Sequence, residues 1–223
     1  MAEPRGVRHS PRPTAAQRPA VLGLVIVADL SGIFLSASTG AAVAMAAGLD
    51  LLGVLTVAFI SALGGGVIRD VLIGATPPMA FSDWRYAAAA FVSGAATFIG
   101  LAVSHHIPGP ILVWLEAADL ALFSVAGAEK ALAYGLPSLS AVLMAGVTGV
   151  GGGVIRDVLL NHVPHVLLAD VYATAALFGA TVLVVCLKLG RGPRFSAVVG
   201  GLCCFILRLL AVWLHWNLPV AGG

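Results

Sequence analysis

Apolar residues fill seven stretches of this chain, and polar residues gather between them. The stretches run approximately over 21–46, 50–74, 86–104, 110–134, 137–160, 169–188 and 195–216. None shows the apolar–polar alternation of a membrane β-strand of about ten residues. A helix of about 20 apolar residues spans a hydrocarbon core of roughly 30 Å. The pattern predicts an all-α membrane protein with seven transmembrane helices.

The polar positions repeat. GGGVIRDVL occurs at Gly64–Leu72 and again at Gly151–Leu159. An 87-residue shift superimposes Gly40 on Gly127, Gly48 on Gly135, Pro77 on Pro164 and Asp83 on Asp170, and 20 of the 55 pairs from Asp29/Glu116 to Asp83/Asp170 are identical. Three spans form one copy and the next three the other. Three is odd, so the second copy enters the membrane upside down, and a pseudo-two-fold axis in the membrane plane relates the two. The expected organisation is a disordered tail over 1–20, a first repeat over 21–108, an inverted repeat over 109–190, and a seventh helix with the C-terminus over 191–223. The basic tail and first apolar run have the outline of a cleaved signal peptide. The match of the first span to the fourth argues against that reading.

Composition agrees. Hydrophobic residues are 60% of the 223, charged residues 10%, and mean hydropathy is +1.02, too apolar for a surface facing water. A net charge of +2 gives no reason to expect nucleic acid as a partner. Cys186, Cys203 and Cys204 lack metal-ligand spacing and read as small core residues. Lys and Arg near the span ends (four in the tail, then Arg69, Arg85, Lys130, Lys188, Arg191 and Arg194, against Arg156 alone) place the N-terminus in the cytoplasm.

Each glycine triplet, Gly64, Gly65, Gly66 and Gly151, Gly152, Gly153, falls late in an apolar span. A glycine costs about 1 kcal/mol in helix propensity, so three together predict a kink or break. Carbonyls freed there are tolerable only beside protein or a wet cavity, and Ser61 and Thr148 add hydroxyls three residues upstream. The alternative is that the glycines serve close helix packing. The pairs Arg69–Asp70 and Arg156–Asp157 follow, near the span ends. Neighbours on a helix point about 100° apart, so each Arg is expected to reach the other repeat or a loop, as a clamp or in a vestibule.

In the first span Asp29, Gly32, Ser36, Gly40 and Val43 form one helical stripe; the shift carries it to Glu116, Asp119, Phe123, Gly127 and Lys130. A charge deep in a bilayer costs on the order of 3 kcal/mol and faces the bundle interior. Asp119 and Lys130 are about 16 Å apart along the helix, too far to pair, so each needs another partner or water. Alternatively Asp29, Glu116 and Lys130 are interfacial anchors. HExxH, a triad elbow and GxxxxGK[ST] are absent, so an enzyme is not expected, nor a cofactor or metal. His105 and His106, beside Pro108, read as solvated loop residues.

The duplicated GGGVIRDVL, the trailing Pro77 and Pro164, the G-A-E-K of Gly127–Lys130 and the seven-span layout resemble the prokaryotic trimeric intracellular cation (TRIC) channel family, which also appears as a bacterial glycine-transporter family of uncharacterised membrane proteins. The resemblance covers about 21–216. It implies a homotrimer with one pore per subunit, lined by the kinked second and fifth helices, and conducting K⁺ and Na⁺. It maps Lys130 to a pore-facing lysine, while Val43 at the matching position breaks any two-lysine symmetry. The expectation is a passive cation channel in the lipids of the inner membrane. Ser61, Thr148 and freed carbonyls would replace hydration, Asp29, Glu116 and Asp119 would attract cations, Ser36 would line the path, and Lys130 would act as barrier or gate. The alternatives are a secondary transporter of a small amino acid such as glycine, and a structural membrane subunit without flux.

Overall fold

The computed structural model describes residues 18–104, 109–168 and 171–216, and side chains from Gly23 onward except Leu24. These residues form helices α1 (Arg18–Ala46), α2 (Leu51–Leu72), α3 (Met79–Ser82), α4 (Trp84–Ser104), α5 (Gly109–Ala133), α6 (Ser138–Leu159), α7 (His165–Leu168), α8 (Ala173–Lys188) and α9 (Pro193–Trp213). No strand occurs among the described residues. Six helices are long and apolar enough to cross a membrane, beginning at Val25 in α1; α8 has 16 residues, about 24 Å of helix. Helix α1 starts at Arg18, three residues before the expected span; residues 1–17 of the expected tail, His105, His106 and Pro108 lie outside the described residues.

The chain ends its helices the same way at repeat-related places. Gly48 and Gly135 follow α1 and α5 with φ of 78° and 80°. After each, an amide closes back on the last turn: Leu49 N–H to Ala44 O at 3.2 Å and Leu136 N–H to Ala131 O at 3.1 Å. This left-handed cap satisfies the carbonyls a helix end orphans, and glycine takes it without a Cβ penalty. The next matching turn uses Gly74 in the first copy and Asn161 in the second, with φ of 74° and 56°, asparagine being the other residue that tolerates this region. Asp83 starts α4 by accepting the Arg85 amide at 3.0 Å. The Arg85 guanidinium and that amide hold the Asp83 carboxyl below its ordinary range.

Helices α1, α2, α5 and α6 form the centre, with α4 against α1 and α2, α8 against α5 and α6, and α9 against α5 and α8. One buried cluster joins Ile33, Ala37, Ala41, Val54, Ala58, Ala62 and Phe123 from α1, α2 and α5. Small residues let the backbones approach, which bilayer helices need because lipid tails are as apolar as leucine.

The glycine triplets show how. The helical backbone is continuous through Gly64–Gly66 and Gly151–Gly153, so the expected break is absent. A Cβ on Gly65 would fall onto the Thr148 carbonyl oxygen, and one on Gly152 onto that of Ser61. Each middle glycine thus lies on the carbonyl upstream of the other triplet. Those carbonyls are covered, not freed, and Cα–H···O contacts of this kind contribute about 0.5–1 kcal/mol each. Tight crossing of α2 and α6 compensates for the poor helix propensity. The third glycines differ, since a Cβ on Gly66 or Gly153 meets only an arginine Nη2, at 3.8 and 3.9 Å.

Substitution of Gly65 or Gly152 by Ala therefore costs at least about 1–3 kcal/mol, the range for overpacking, and lowers the melting temperature in detergent. The same change at Gly66 or Gly153 leaves it unchanged or raises it, because alanine is the better helix former. A thermal scan of the four variants by size-exclusion chromatography checks the contrast.

Candidate functional site

Two buried polar clusters flank the crossing, one for each Arg–Asp motif. In the first, α2 turns its last buried face toward α1 and α5. Arg69 donates from Nη1 and Nη2 to the two oxygens of Asp29, at 2.9 and 3.0 Å, and from Nε to Asp70 at 2.8 Å. Asp70 also accepts from Lys130 Nζ at 2.9 Å and from the Met79 amide at 3.0 Å, where α3 begins. Asp29, Arg69, Asp70 and Lys130 are all buried, Arg69 to 1% exposure. Asp29 and Lys130 are thus interior groups, not interfacial anchors.

The expectation that the arginines bypass their neighbouring aspartates is corrected. Arg69 and Arg156 each donate Nε to the adjacent Asp at 2.8 Å. The 100° offset holds for the Cβ atoms, but a guanidinium is long enough to curl back with Nε while its fork points elsewhere. Arg69 reaches across α1 within its own copy; the link to the other copy runs through Asp70 and Lys130.

In the second cluster Asp157 accepts the His165 amide at 2.8 Å, where α7 begins, as Asp70 accepts at α3. The rest is looser. The nearest approach of Arg156 Nη1 to Glu116 is 4.0 Å, beyond a hydrogen bond, and Val43 stands where a second lysine would be. The Glu116 side chain is a quarter exposed.

Beside the second cluster lies a narrow cavity bounded by Ser36, Thr39, Ser61, Thr148, Glu116 and Asp119, with Gly65, Gly149, Gly152, Gly153, Phe123, Arg156 and Tyr172 completing its wall. The volume open to the centre of a water-sized sphere is about 10 Å³, about what a single water requires. Ser36 bridges toward Ser61, its hydroxyl 3.3 Å from the Ser61 carbonyl. Thr148 donates back into its own helix, to Met144 O at 2.6 Å, so its hydroxyl is partly engaged. Asp119 is 7% exposed, and one carboxylate oxygen has no hydrogen-bond partner among the described residues. A second small cavity lies beside Asp29, Arg69, Asp70, Gly66, Met79 and Tyr86.

The structure thus brings Ser36, Ser61, Gly65, Thr148, Gly152, Gly153, Glu116 and Asp119 to one cavity and Asp29, Gly66, Arg69 and Asp70 to another. Gly64 packs on Ile155, and Gly151 on Gly65. Sequence reasoning overlooked Glu129, buried with neither oxygen partnered, although it stands beside Lys130 in G-A-E-K. It also overlooked Tyr172 and Arg208, stacked at 4.8 Å. Among the described residues no group of three His, Cys, Asp or Glu is arranged to hold a metal.

A family model described as "Glycine transporter" matches residues 26–102 and 113–188. The inner membrane protein YadS of Escherichia coli, of the UPF0126 group, is 33% identical over 88% of this chain and 95% of its own. A chain solved in work on conductance through TRIC cation channels is 37% identical, with a TM-score of 0.80 over 89% of this chain and 97% of its own. The TRIC trimeric intracellular cation channel orthologue from Rhodobacter sphaeroides gives 31% identity and a TM-score of 0.80 over 86% and 98%. The chain belongs to this family of prokaryotic TRIC-type membrane proteins.

The two clusters differ in how much rests on their aspartates. Replacing Asp70 by Asn removes the charge that holds Arg69 and Lys130 together, and breaking such a buried network costs about 3–5 kcal/mol. The matching Asp157→Asn change costs less, since Asp157 faces one guanidinium and no lysine. Melting temperatures of the two variants are expected to fall in that order.

Proposed function

We propose that this protein is a passive channel for monovalent cations, K⁺ and also Na⁺, working as a homotrimer with one pore in each subunit. The observation that carries this reading is the cavity at the α2–α6 crossing. In a membrane-spanning bundle, hydroxyls from Ser36, Thr39 and Ser61 converge there with Asp119, one oxygen of which has no hydrogen-bond partner among the described residues. Hydroxyl and carboxylate oxygens replace a cation's hydration, and a fixed negative charge raises its local concentration. The 0.80 TM-scores to TRIC cation channels point the same way.

On this reading the domain plan is two inverted repeats, 21–108 and 109–190, with α8 as the sixth span and 191–223 carrying a seventh. Reciprocal contacts support the inversion: Gly65 meets Thr148 while Gly152 meets Ser61, and α1 packs on α5 as α2 does on α6. Exchanged pairs of this kind are what a two-fold axis through the crossing produces. The cation passes beside the glycines where the helices cross, without a helix break. Glu116 and Asp119 attract it, Arg69, Asp70 and Asp29 clamp the first copy, and Arg156 and Asp157 flank the vestibule. Lys130, held by Asp70, sets the electrostatic barrier. The N-terminus lies in the cytoplasm and the protein in the inner membrane.

A second reading rests on Arg156. Among the described residues its fork has no hydrogen-bonded carboxylate, yet it borders the cavity that holds Glu116 and Asp119. A guanidinium facing carboxylates across a small space suits a zwitterion, which is the chemistry of glycine and of the family model's name.

Planar-bilayer recording of the purified protein decides between them. Unitary currents reversing at the K⁺ potential in a KCl gradient are expected. Asp119→Asn is expected to lower conductance a few-fold at low salt, the loss shrinking as ionic strength screens the charge over about 10 Å at 0.1 M. Saturable glycine counterflow in liposomes without current would instead establish the transporter.

A further inference from the structure

Phe123 occupies a place that the pattern of the repeat leaves unexplained. Its counterpart in the first copy is Ser36, a cavity-lining hydroxyl. Phe123 is 5% exposed, and it is the residue common to the walls of both polar cavities, the one holding Asp119 and Thr148 and the one holding Asp29 and Arg69. Across from it stands Gly32, the counterpart of Asp119. The ring lies against Gly32, with Cε1 and Cζ 3.1 Å from where a Cβ would be. The two copies therefore differ at two positions, and across the interface Ser36 of the first shares the cavity with Asp119 of the second, while Phe123 of the second fills the space left by Gly32 of the first.

We infer that Phe123 is the gate of this protein: its ring, seated on Gly32, separates two water-accessible polar chambers, and its displacement joins them. Each chamber is near the size of a single water, so the ring is large against the space it divides. Deleting it leaves a gap that no side chain refills, because the opposite wall is glycine. The ring closes against the Gly32 backbone, and an apolar plug between polar chambers blocks ions by dewetting. Among family functions this assigns the occluding residue, and only the electrical part of its test depends on the channel reading.

The test uses full-length protein in liposomes, with Cys186, Cys203 and Cys204 replaced by Ala. A reporter thiol is placed by Gly66→Cys in one chamber or Gly153→Cys in the other; both sites have open space for a Cβ. A membrane-impermeant cationic methanethiosulfonate is added to one face at a time. With Phe123 present, each reporter is expected to react from one face, and opposite faces for the two. Phe123→Ser makes both reactive from either face. A gate open in about 0.1–10% of molecules limits access in proportion, so the blocked face speeds up at least about tenfold. Phe123→Leu, which keeps an apolar residue for folding, gives an intermediate gain and serves where the serine variant fails to assemble. Phe123→Trp gives none. Two-sided reaction with Phe123 intact, no reaction of either reporter, or one-sided reaction surviving both Phe123→Ser and Phe123→Leu would overturn the assignment. Bilayer currents separate the two claims: joined chambers without current keep the gate and sink the channel, while currents indifferent to residue 123 do the reverse.

Discussion

The crossing of α2 and α6, backbone against backbone at Gly65 and Gly152, determines where every other polar group in the interior lies. Because neither helix carries a side chain at the contact, each presents a glycine to the other's carbonyl, from Thr148 and from Ser61. The separation of the two axes is then set by main-chain atoms, which do not adjust as side chains do. The flanking helices follow. Gly40 of α1 sits on Ser61 and Gly127 of α5 on Thr148, so the same two residues that face the opposing triplet also seat the neighbouring helix of their own copy. Ser36 and Asp119 come to the cavity from α1 and α5 through that stacking.

This frame places formally unequal charge on its two sides. Asp29 and Asp70 are matched by Arg69 and Lys130 in a closed set of hydrogen bonds. On the other side Glu116, Asp119 and Asp157 face Arg156, which lies 4.0 Å from Glu116. Buried ion pairs contribute little net stability over apolar residues of the same volume, since desolvation offsets the attraction. A fold that keeps both clusters gains something other than stability from them. The closed one ties α1, α2, α3 and α5 into a single unit; the open one leaves carboxylates available to whatever enters the cavity. In the proposed pore that inequality gives cations a route with a preferred wall.

Much of this was legible in the amino-acid order, and the rest fails for identifiable reasons. Seven apolar stretches and the 87-residue period both leave local signatures, because membrane length and duplication each impose a pattern on consecutive residues. The stripe from Asp29 to Val43 and its partner from Glu116 to Lys130 were likewise placed facing inward, by the cost of charge in lipid. The triplets misled in part, since low helix propensity describes an isolated helix, while the tertiary crossing decides whether three glycines break it. The bond from Arg69 to Asp70 was missed because Cβ directions say little about a side chain with a reach of several ångströms. Phe123 and Gly32 were placed on the two stripes and given no role. Their meaning appears only when α1 and α5 are seen to pack with those two positions opposed.

The single lysine follows the same logic. Lys130 balances Asp70, while Val43, its counterpart, leaves Asp157 with one guanidinium and the His165 amide. A lysine at 43 would make the second cluster resemble the first and supply a cation on the side where Glu116 and Asp119 stand. Carboxylates that now lack a full partner would then be drawn into pairs, and the cavity would offer little net charge to a passing ion. The repeat-related positions 32 and 119, 36 and 123, and 43 and 130 carry different side chains, and one cluster is closed by hydrogen bonds while the other leaves its carboxylates less fully paired. Helices α2 and α6 match in length, 22 residues each, so at the crossing the two sides differ in side chains rather than in backbone.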